Sequence, residues 1–361
     1  MPSLPARVIE HAGGSHFISL LILSINVALF VLMGIAESKA GGGGNSFLGP
    51  ASDSVLTNFG MRRSDLINQG QWWRLVTPNF LHLGMMHLMF NSLALYQIGP
   101  LAEELYGSQK FLFIYLGTGV LSNVAAYLFN VTGGGASGAI FGLIGLLVIY
   151  GYRAGGEAGR ALTRQMLIWA GVGMLYGFVF HADNISHAGG FAAGTAFGFL
   201  LVPGAPSTQR DSTAWNVSAI ACVAVIAASF AFAAAGYGRT ATNEDVANFA
   251  NAFGQVEAEL GRSFILKNAK AADLTDAAAR LRSYVSDVNR VKRIDGRSED
   301  VRKRITGLAG KRAADLEEAA KAANPAPLFR QEESAELEVI TRDFWDWFNS
   351  VAASYGVRRV R

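Results

Sequence analysis

The chain has 361 residues and a mean hydropathy of +0.26, and 51% of its residues are hydrophobic while only 16% are charged. Soluble domains carry about 25% charged residues, so this composition excludes a wholly soluble protein. The net charge of +3 indicates no nucleic-acid partner, and the single cysteine, Cys222, excludes an internal disulfide and any cysteine-based metal cluster.

Apolar segments of bilayer length follow one another along the first two thirds of the chain. About 20 apolar residues cross a bilayer as a helix. The expected spans are 17–36, 81–99, 111–130, 137–152, 165–182, 186–202 and 215–237. The apolar part of the first segment is too long for a signal peptide, so we interpret it as a membrane helix. The sequence therefore predicts an all-α polytopic membrane protein.

The composition changes after Tyr237, where charged residues and alanine become frequent and apolar residues recur at helical spacing. Helix starts are expected at Asn243 and Ser298, and the stretch NPAPLF at 324–329 interrupts the pattern before a last helix. This pattern predicts a soluble helical tail. Trp345 and Trp347 in the last helix are open to two interpretations, a membrane-interface anchor or the core of a small domain.

Four regions follow from these patterns. They are an N-terminal segment (1–14), a six-helix core (15–203), a linker with a seventh membrane helix (204–238) and the helical tail (239–361). Basic residues between the fourth and fifth spans favour a cytoplasmic N-terminus by the positive-inside rule, although the basic residues of the first loop contradict this in part. That orientation predicts an extracytoplasmic tail.

Two polar residues begin membrane spans that run in the same direction. Ser137, in the stretch GGGASGAIFG, begins the fourth span, and His187 begins the sixth. A neutral imidazole within hydrogen-bond reach of a serine activates it as a nucleophile. A serine in a glycine-rich turn and a membrane histidine each have a purely structural explanation when taken alone. Their joint placement at one depth favours a catalytic pair.

Glycines line one face of each of these two spans, where side chains would keep the helices apart. They are Gly138, Gly142 and Gly145 on the fourth span, and Gly190, Gly194 and Gly198 on the sixth. The spacing predicts a close contact that brings Ser137 to His187. On the second span, His87 and Asn91 share one helical face, and with the backbone N–H of Ser137 they form a candidate oxyanion site.

These motifs resemble the rhomboid intramembrane serine proteases over residues 15–203. The resemblance rests on GASG with Ser137, HxxxN from His87 to Asn91, SHAGGFAAG around His187, and the pair Trp73-Arg74 in the first loop. The seventh span resembles the extra C-terminal helix of the "six plus one" forms. The tail has no counterpart in the core family.

The resemblance implies a catalytic dyad without a third acid, with Ser137 as nucleophile and His187 as general base. The implied oxyanion hole consists of His87, Asn91 and the backbone N–H of Ser137. Many rhomboids carry a tyrosine four residues after the nucleophile, where this chain has Phe141, and we expect its ring to pack on His187. Glycines expected to support the site are Gly135, Gly138, Gly190 and Gly194. Asp183 is a minor candidate for a supporting contact.

The implied function is cleavage of single-span membrane proteins within the bilayer, near the outer ends of their helices, with no cofactor and no metal. The expected location is a bacterial inner membrane. One alternative is a proteolytically inactive rhomboid-like protein that binds or escorts membrane helices, and another is an unrelated transporter or channel. For the tail, substrate recruitment, self-association and binding of another envelope protein all stay open.

Overall fold

The computed structural model describes residues 16–39, 51–179, 183–204, 208–238, 241–265, 269–322 and 331–351. Contacts divide the chain into two compact units, with the boundary between Tyr237 and Gly238. Over the described ranges both units are built from helices, and the only extended pairing there is an isolated bridge between Arg62 and Gly133. The prediction of an all-α polytopic membrane protein is confirmed.

Apolar helices of the predicted order make up the first unit. Within its described part they are α1 (Phe17–Lys39), α2 (Asp53–Phe59), α3 (Ser64–Asn68), α4 (Met85–Tyr106), α5 (Ser108–Leu128), α6 (Ser137–Ala154), α7 (Gly156–Val179), α8 (Asn184–Leu200) and α9 (Gln209–Ala235). Two 3-10 turns, Trp72–Leu75 and Thr77–Phe80, lie between α3 and α4.

All seven predicted spans correspond to helices. Within the described ranges, α1, α5, α6 and α9 are long and apolar enough to cross a membrane by length and composition. Polar residues near one end of α4 and of α7, and the 17-residue length of α8, account for the weaker signal of the other three. Several helices continue into polar sequence, as α9 does over residues 209–214, whereas α5 and α8 end two residues before the predicted spans do. Residues 180–182 of the fifth span lie outside the described residues.

Helix α6 lies at the centre of the first unit, where α5, α7 and α8 pack around it. Its Leu143, Leu146 and Leu147 side chains are fully buried. In a membrane, where lipid is as apolar as leucine, such side chains stabilise the bundle through close packing between helices. This central position fixes the start of α6, and with it Ser137, inside the protein rather than at its lipid-facing surface.

The first loop, between α1 and α4, is a folded structure with its own caps. The hydroxyl of Ser52 accepts a hydrogen bond from the Val55 N–H at 3.3 Å and so caps α2. Helix α2 ends at Gly60, whose φ of +101° favours glycine. The Thr77 hydroxyl donates to the Gly60 carbonyl at 2.7 Å, which fastens the end of α2 to the segment before α4.

Aromatic rings connect α9 to this first loop. Phe232 stacks on Trp73 with ring centroids 5.4 Å apart, and it meets Trp72 edge to face at 5.7 Å. Tyr237, just after α9, contacts Phe59 at 5.8 Å. Such aromatic pairs contribute roughly 0.5–1.5 kcal/mol each beyond their burial. The seventh membrane helix is therefore packed onto the loop that contains the Trp73-Arg74 pair.

The second unit is a bundle of helices with its own hydrophobic core. Within its described part the helices are α10 (Asn243–Phe264), α11 (Ala271–Arg290), α12 (Gly296–Ala320) and α13 (Gln331–Val351). Phe253 and Phe344 stack at 3.8 Å, and the fully buried Trp347 donates its Nε1–H to Asp295 at 2.9 Å. Trp345 packs against the same core. These tryptophans are therefore core residues of the tail.

The helix starts predicted in the tail are partly right. Helix α10 begins at Asn243, as expected, behind a capping box made by Thr242 and Asp245. Helix α12 begins at Gly296, two residues before the predicted start at Ser298, because Asp295 is the cap and accepts from the Ser298 N–H at 2.7 Å. The interruption at 324–329 lies outside the described residues.

Candidate active site

Ser137 is the first residue of α6 and is only half-buried, although the alanine before it is fully buried. The approach to the helix depends on Gly135, which has a φ of +148° and donates its N–H to the Pro78 carbonyl at 2.8 Å. A Cβ on Gly135 would lie 2.7 Å from Cε1 of His87. Glycine is therefore required here for both its backbone conformation and the space that it leaves for the His87 ring.

Ser137 and His187 are brought together as predicted. The Ser137 Oγ lies 2.9 Å from Nε2 of His187, across 50 positions of sequence. The other ring nitrogen, Nδ1, lies 3.3 Å from the side-chain oxygen of Asn184. An amide oxygen accepts only, so this contact assigns the proton to Nδ1 and leaves Nε2 as the acceptor for the serine hydroxyl. The neutral ring in this tautomer can act as a base toward Ser137.

The predicted glycine contact between α6 and α8 is present. A Cβ on Gly190 would lie 2.0 Å from the Gly138 carbonyl oxygen, and one on Gly194 would lie 1.8 Å from that of Gly142. No side chain would fit at either position, so the backbones of α6 and α8 are in direct contact at Gly138 with Gly190 and at Gly142 with Gly194. Gly138 is crowded from another side by the Ser122 hydroxyl on α5. This contact holds the first turns of α6 and α8 close together, and these turns carry Ser137 and His187.

Phe141 packs on the histidine as expected. Its ring stacks on that of His187 with centroids 4.3 Å apart and planes 8° apart. The far edge of the Phe141 ring lies against Gly173 on α7. A Cβ on Gly173 would lie only 2.7 Å from Cζ of Phe141, so the ring occupies the space that a side chain at this position would need. The His187 ring is therefore held by stacking on one face and by Asn184 at one edge.

His87 and Asn91 lie one helical turn apart on α4, as predicted, and both lie beside Ser137 and His187 in a shared cavity. The His87 Nδ1 accepts from the Leu83 N–H at 3.4 Å, which leaves Nε2 as the ring's N–H donor. The Asn91 Nδ2 donates to the His87 carbonyl at 2.8 Å, so one of its two amide hydrogens is used within α4 and the other is available. Both residues can donate toward a developing negative charge.

Two cavities meet at the dyad. A polar cavity of about 210 Å³ contains Ser137 and His187 together with charged and polar groups from three loops, among them Arg62 and Asp183. An apolar cavity of about 160 Å³ lies between α4 and α7, where the rings of Phe90 and Tyr176 are 5.0 Å apart. The Ser137 hydroxyl is thus reached from a polar side and from an apolar side.

Trp73 and Arg74 do not touch the dyad and instead hold the first loop together. The buried Arg74 donates to the carbonyls of Thr57 and Met61 at 2.8 and 2.9 Å and to the Gln71 side chain at 2.8 Å. Burial lowers the pKa of Arg74 to about 10, so its guanidinium stays charged at neutral pH. The role of this pair is structural support.

Sequence reasoning missed the contact between Asn184 and His187, although their spacing of three residues on one helical face was a usable indication. Asp183 does support the site, but through the cap of α8, where it accepts from the Ser186 N–H at 2.8 Å. Its partner Arg62 was also missed. Among the described residues, no group of three or more histidine, cysteine, aspartate or glutamate side chains is close enough to hold a metal ion.

The bundle of apolar helices defines an integral membrane protein, with a serine and a histidine paired at two of its helix starts. The rhomboid domain model matches residues 69–204, and a relative that is 32% identical is matched over 70% of its own length. The chain therefore belongs to the rhomboid family.

Three curated relatives show the extent of the similarity. The rhomboid protease GluP of Bacillus subtilis strain 168 is 34% identical over 184 residues, which are 50% of this chain and 34% of GluP. YdcA of the same bacterium, provisionally named a rhomboid protease, is 32% identical over 140 residues, 38% of this chain and 70% of YdcA. Rhomboid-like protease 2 of Toxoplasma gondii is 34% identical over 207 residues, 52% of this chain and 67% of that protein. The chain thus spans about a third of GluP.

Proposed function

We propose that the protein is an intramembrane serine endopeptidase that cleaves single-span membrane proteins in the lipid bilayer. The observation that carries this proposal is the 2.9 Å separation of the Ser137 hydroxyl and the His187 Nε2, at the meeting point of a polar and an apolar cavity. Family membership and the protease names of the relatives support the same reaction class.

In the proposed mechanism, the Ser137 Oγ attacks the carbonyl carbon of the scissile peptide bond while His187 Nε2 takes the hydroxyl proton. The resulting oxyanion accepts hydrogen bonds from the Nε2–H of His87, the free amide hydrogen of Asn91 and the Ser137 N–H. His187 then gives its proton to the leaving amine, and the peptide bond breaks to leave an acyl ester on Ser137. Water, deprotonated by His187, attacks this ester, and the intermediate breaks down to release the carboxylic acid product while His187 returns the proton to the Ser137 Oγ.

The two cavities suggest how water and substrate would reach the same hydroxyl. The polar cavity would hold the water needed for deacylation. The apolar cavity, which lies beside Phe90 on α4 and Tyr176 on α7, suits the end of a substrate helix. A stable helix hides its amides in hydrogen bonds, so helix-breaking and small residues near the cleavage site should favour cleavage. Replacing them with leucine in the substrate should slow the reaction.

The proposed location is a bacterial inner membrane with the N-terminus in the cytoplasm. The arginines around the junction of α6 and α7, which are Arg153 in the last turn of α6 and Arg160 and Arg164 near the start of α7, support this orientation. The tail would then be extracytoplasmic, where it would recruit a substrate, bind another envelope protein or self-associate.

The test is cleavage of a model single-span substrate by the purified full-length protein in liposomes. Wild type should cleave, and Ser137→Ala and His187→Ala should abolish cleavage while the protein stays folded. His187→Ala should also lower the unfolding temperature, because the stacking on Phe141 and the contact with Asn184 are lost. Ser122→Ala is the matched control, since this buried serine also lies next to the α6 backbone but is outside the dyad.

Each result has a defined meaning. Cleavage that survives Ser137→Ala would exclude the mechanism. No cleavage by wild type of several substrates, together with retained binding of membrane helices, would favour the inactive binding protein.

A further inference from the structure

Arg62 is a buried charge in the first loop that the proposed chemistry does not use. Its side chain is 1% exposed and lines the polar cavity beside the dyad. Its Nε donates to the Val131 carbonyl at 2.9 Å, and its two terminal nitrogens donate to the side chains of Asn123 and Asp183. A buried guanidinium is costly without such partners, so each of these contacts is needed.

Two partners of Arg62, Val131 and Asp183, belong to the segments that lead into α6 and α8, and the third, Asn123, lies on α5. Val131 lies in the turn that leads from α5 to Ser137, and Arg62 and Gly133 exchange backbone hydrogen bonds of 3.0 and 3.2 Å in the same turn. Asp183 is the cap of α8, so it fixes the first turn of the helix that contains His187. The Arg62 side chain of the first loop therefore connects the turn before Ser137 to Asp183, the cap of the helix that contains His187.

The ion pair with Asp183 joins the first loop to the cap of α8 and also balances the buried charge of Arg62. The Asp183 carboxylate accepts from the Ser186 N–H at 2.8 Å through one oxygen and from Arg62 through the other. Its side chain is 17% exposed, so Arg62 is the more deeply buried of the two charges. Loss of Arg62 releases the cap from the first loop, and loss of the Asp183 charge leaves the Arg62 charge without its counterion.

We propose that Arg62, acting through Asp183 and the 131–133 turn, is a positioning residue that fixes the separation of Ser137 and His187. This inference rests on the proposed protease function for its kinetic consequence, but its structural consequence is independent of that function. Because positioning acts on the chemical step, kcat should change and KM should not.

The experiment compares Arg62→Ala, Arg62→Lys and Asp183→Asn in the full-length protein in liposomes. Arg62→Ala should lower kcat at least tenfold with KM within twofold. It should also slow labelling of Ser137 by a fluorophosphonate to the same extent. Arg62→Lys keeps the charge but makes fewer of the three contacts, so its kcat should lie between those of Arg62→Ala and wild type. Adding Asp183→Asn to Arg62→Ala should have little further effect, because the two residues act as one unit.

Arg63 is the matched control in the same loop. It is also 1% exposed, and it pairs with Asp65 at 3.0 Å and with Asp53 at 3.5 Å, but neither partner lies in the segments that carry the dyad. Arg63→Ala should lower the unfolding temperature while the folded protein keeps its kcat. Equal kcat losses in Arg62→Ala and Arg63→Ala at equal folded fraction would overturn the proposal.

Hydrogen exchange gives a readout that does not depend on activity. Arg62→Ala should accelerate exchange of the backbone amides of 131–137 and of Ser186 and His187, whereas Arg63→Ala should leave them protected. Unchanged protection in both Arg62→Ala and Arg62→Lys would overturn the inference. If wild type neither cleaves nor reacts with the fluorophosphonate, the protease proposal fails, and the exchange result still decides the role of Arg62.

Discussion

Replacing Gly190 with alanine tests whether the close contact of α6 and α8 holds the dyad together. The added Cβ would lie 2.0 Å from the Gly138 carbonyl oxygen, whereas ordinary contacts begin at 3.4 Å. The helices must therefore separate by about 1.4 Å, since a packed core has no room to absorb the difference. Gly190 lies near His187 and Gly138 follows Ser137, so the 2.9 Å hydrogen bond should lengthen to roughly 4 Å, beyond hydrogen-bond range.

The expected result of Gly190→Ala is a loss of kcat of about 100-fold, the usual consequence of a 1 Å misplacement at a reacting centre. KM should stay near the wild-type value, because Phe90 and Tyr176, which line the apolar cavity, belong to α4 and α7 and not to the two helices that separate. Overpacking should also destabilise the membrane unit by about 1–3 kcal/mol. Cleavage kinetics in liposomes and thermal unfolding of the same preparations measure the two effects.

Gly171→Ala is the control for this substitution. Gly171 lies on α7, and a Cβ there has no other atom within 4 Å. The variant should keep the wild-type kcat and gain about 0.4–1 kcal/mol in stability, because alanine restricts the unfolded chain. If Gly190→Ala instead retained both wild-type kcat and wild-type stability, the idea that the glycine contact sets the dyad separation would be refuted.

Further predictions concern the rest of the molecule. Phe141→Ala should lower kcat about tenfold, because the ring stacked on His187 contributes up to about 1.5 kcal/mol; an unchanged pH–rate profile and rate would contradict this. Arg74→Ala should destabilise the membrane unit by roughly 1.5–3 kcal/mol in chemical unfolding, since charged hydrogen bonds to the carbonyls of Thr57 and Met61 are lost. A variant as stable as wild type would show that contacts other than those of Arg74 hold the first loop together. Trp347→Ala should destabilise the tail by about 3–5 kcal/mol, seen as faster amide exchange there, without lowering kcat. A chain ending at Tyr237 should keep its kcat, and a loss of kcat would assign the tail a catalytic role.

The sequence was sufficient for the pairing of Ser137 with His187, because three local patterns agree. The order of the apolar segments predicted that the fourth and sixth spans run in the same direction. The positions of Ser137 and His187 at the starts of these spans predicted that both lie at a similar depth, and the glycines at helical spacing predicted which faces of the two helices are in contact. Each pattern is local or periodic, so each can be read without a structure. The stacking of Phe141 was expected from the family resemblance alone, in which a ring four residues after the nucleophile packs on the histidine.

The contact of Arg62 with Asp183 could not be predicted in the same way. The two residues are 121 positions apart and belong to a loop and a helix cap, neither of which has a periodic pattern. Arg62 appeared only as an exception to the positive-inside rule and Asp183 only as a minor candidate for a supporting contact, so nothing in the sequence joined the two. The helix start near Ser298 was misplaced for a related reason, because Asp295 and Ser298 are both good caps and only the backbone conformation distinguishes them.

The rings that join α9 to the first loop have a mechanical consequence. The tail is attached to the membrane unit through Tyr237, whose ring rests on Phe59, and through Phe232, whose ring rests on Trp73. A pulling force applied to the tail would therefore act first on the contacts of Tyr237 and Phe232 with the first loop. Helices α6 and α8 precede α9 in the chain, so the force would reach them only after these contacts. The contacts of Phe232 and Tyr237 with the first loop therefore lie between a pull on the tail and the helices that carry Ser137 and His187.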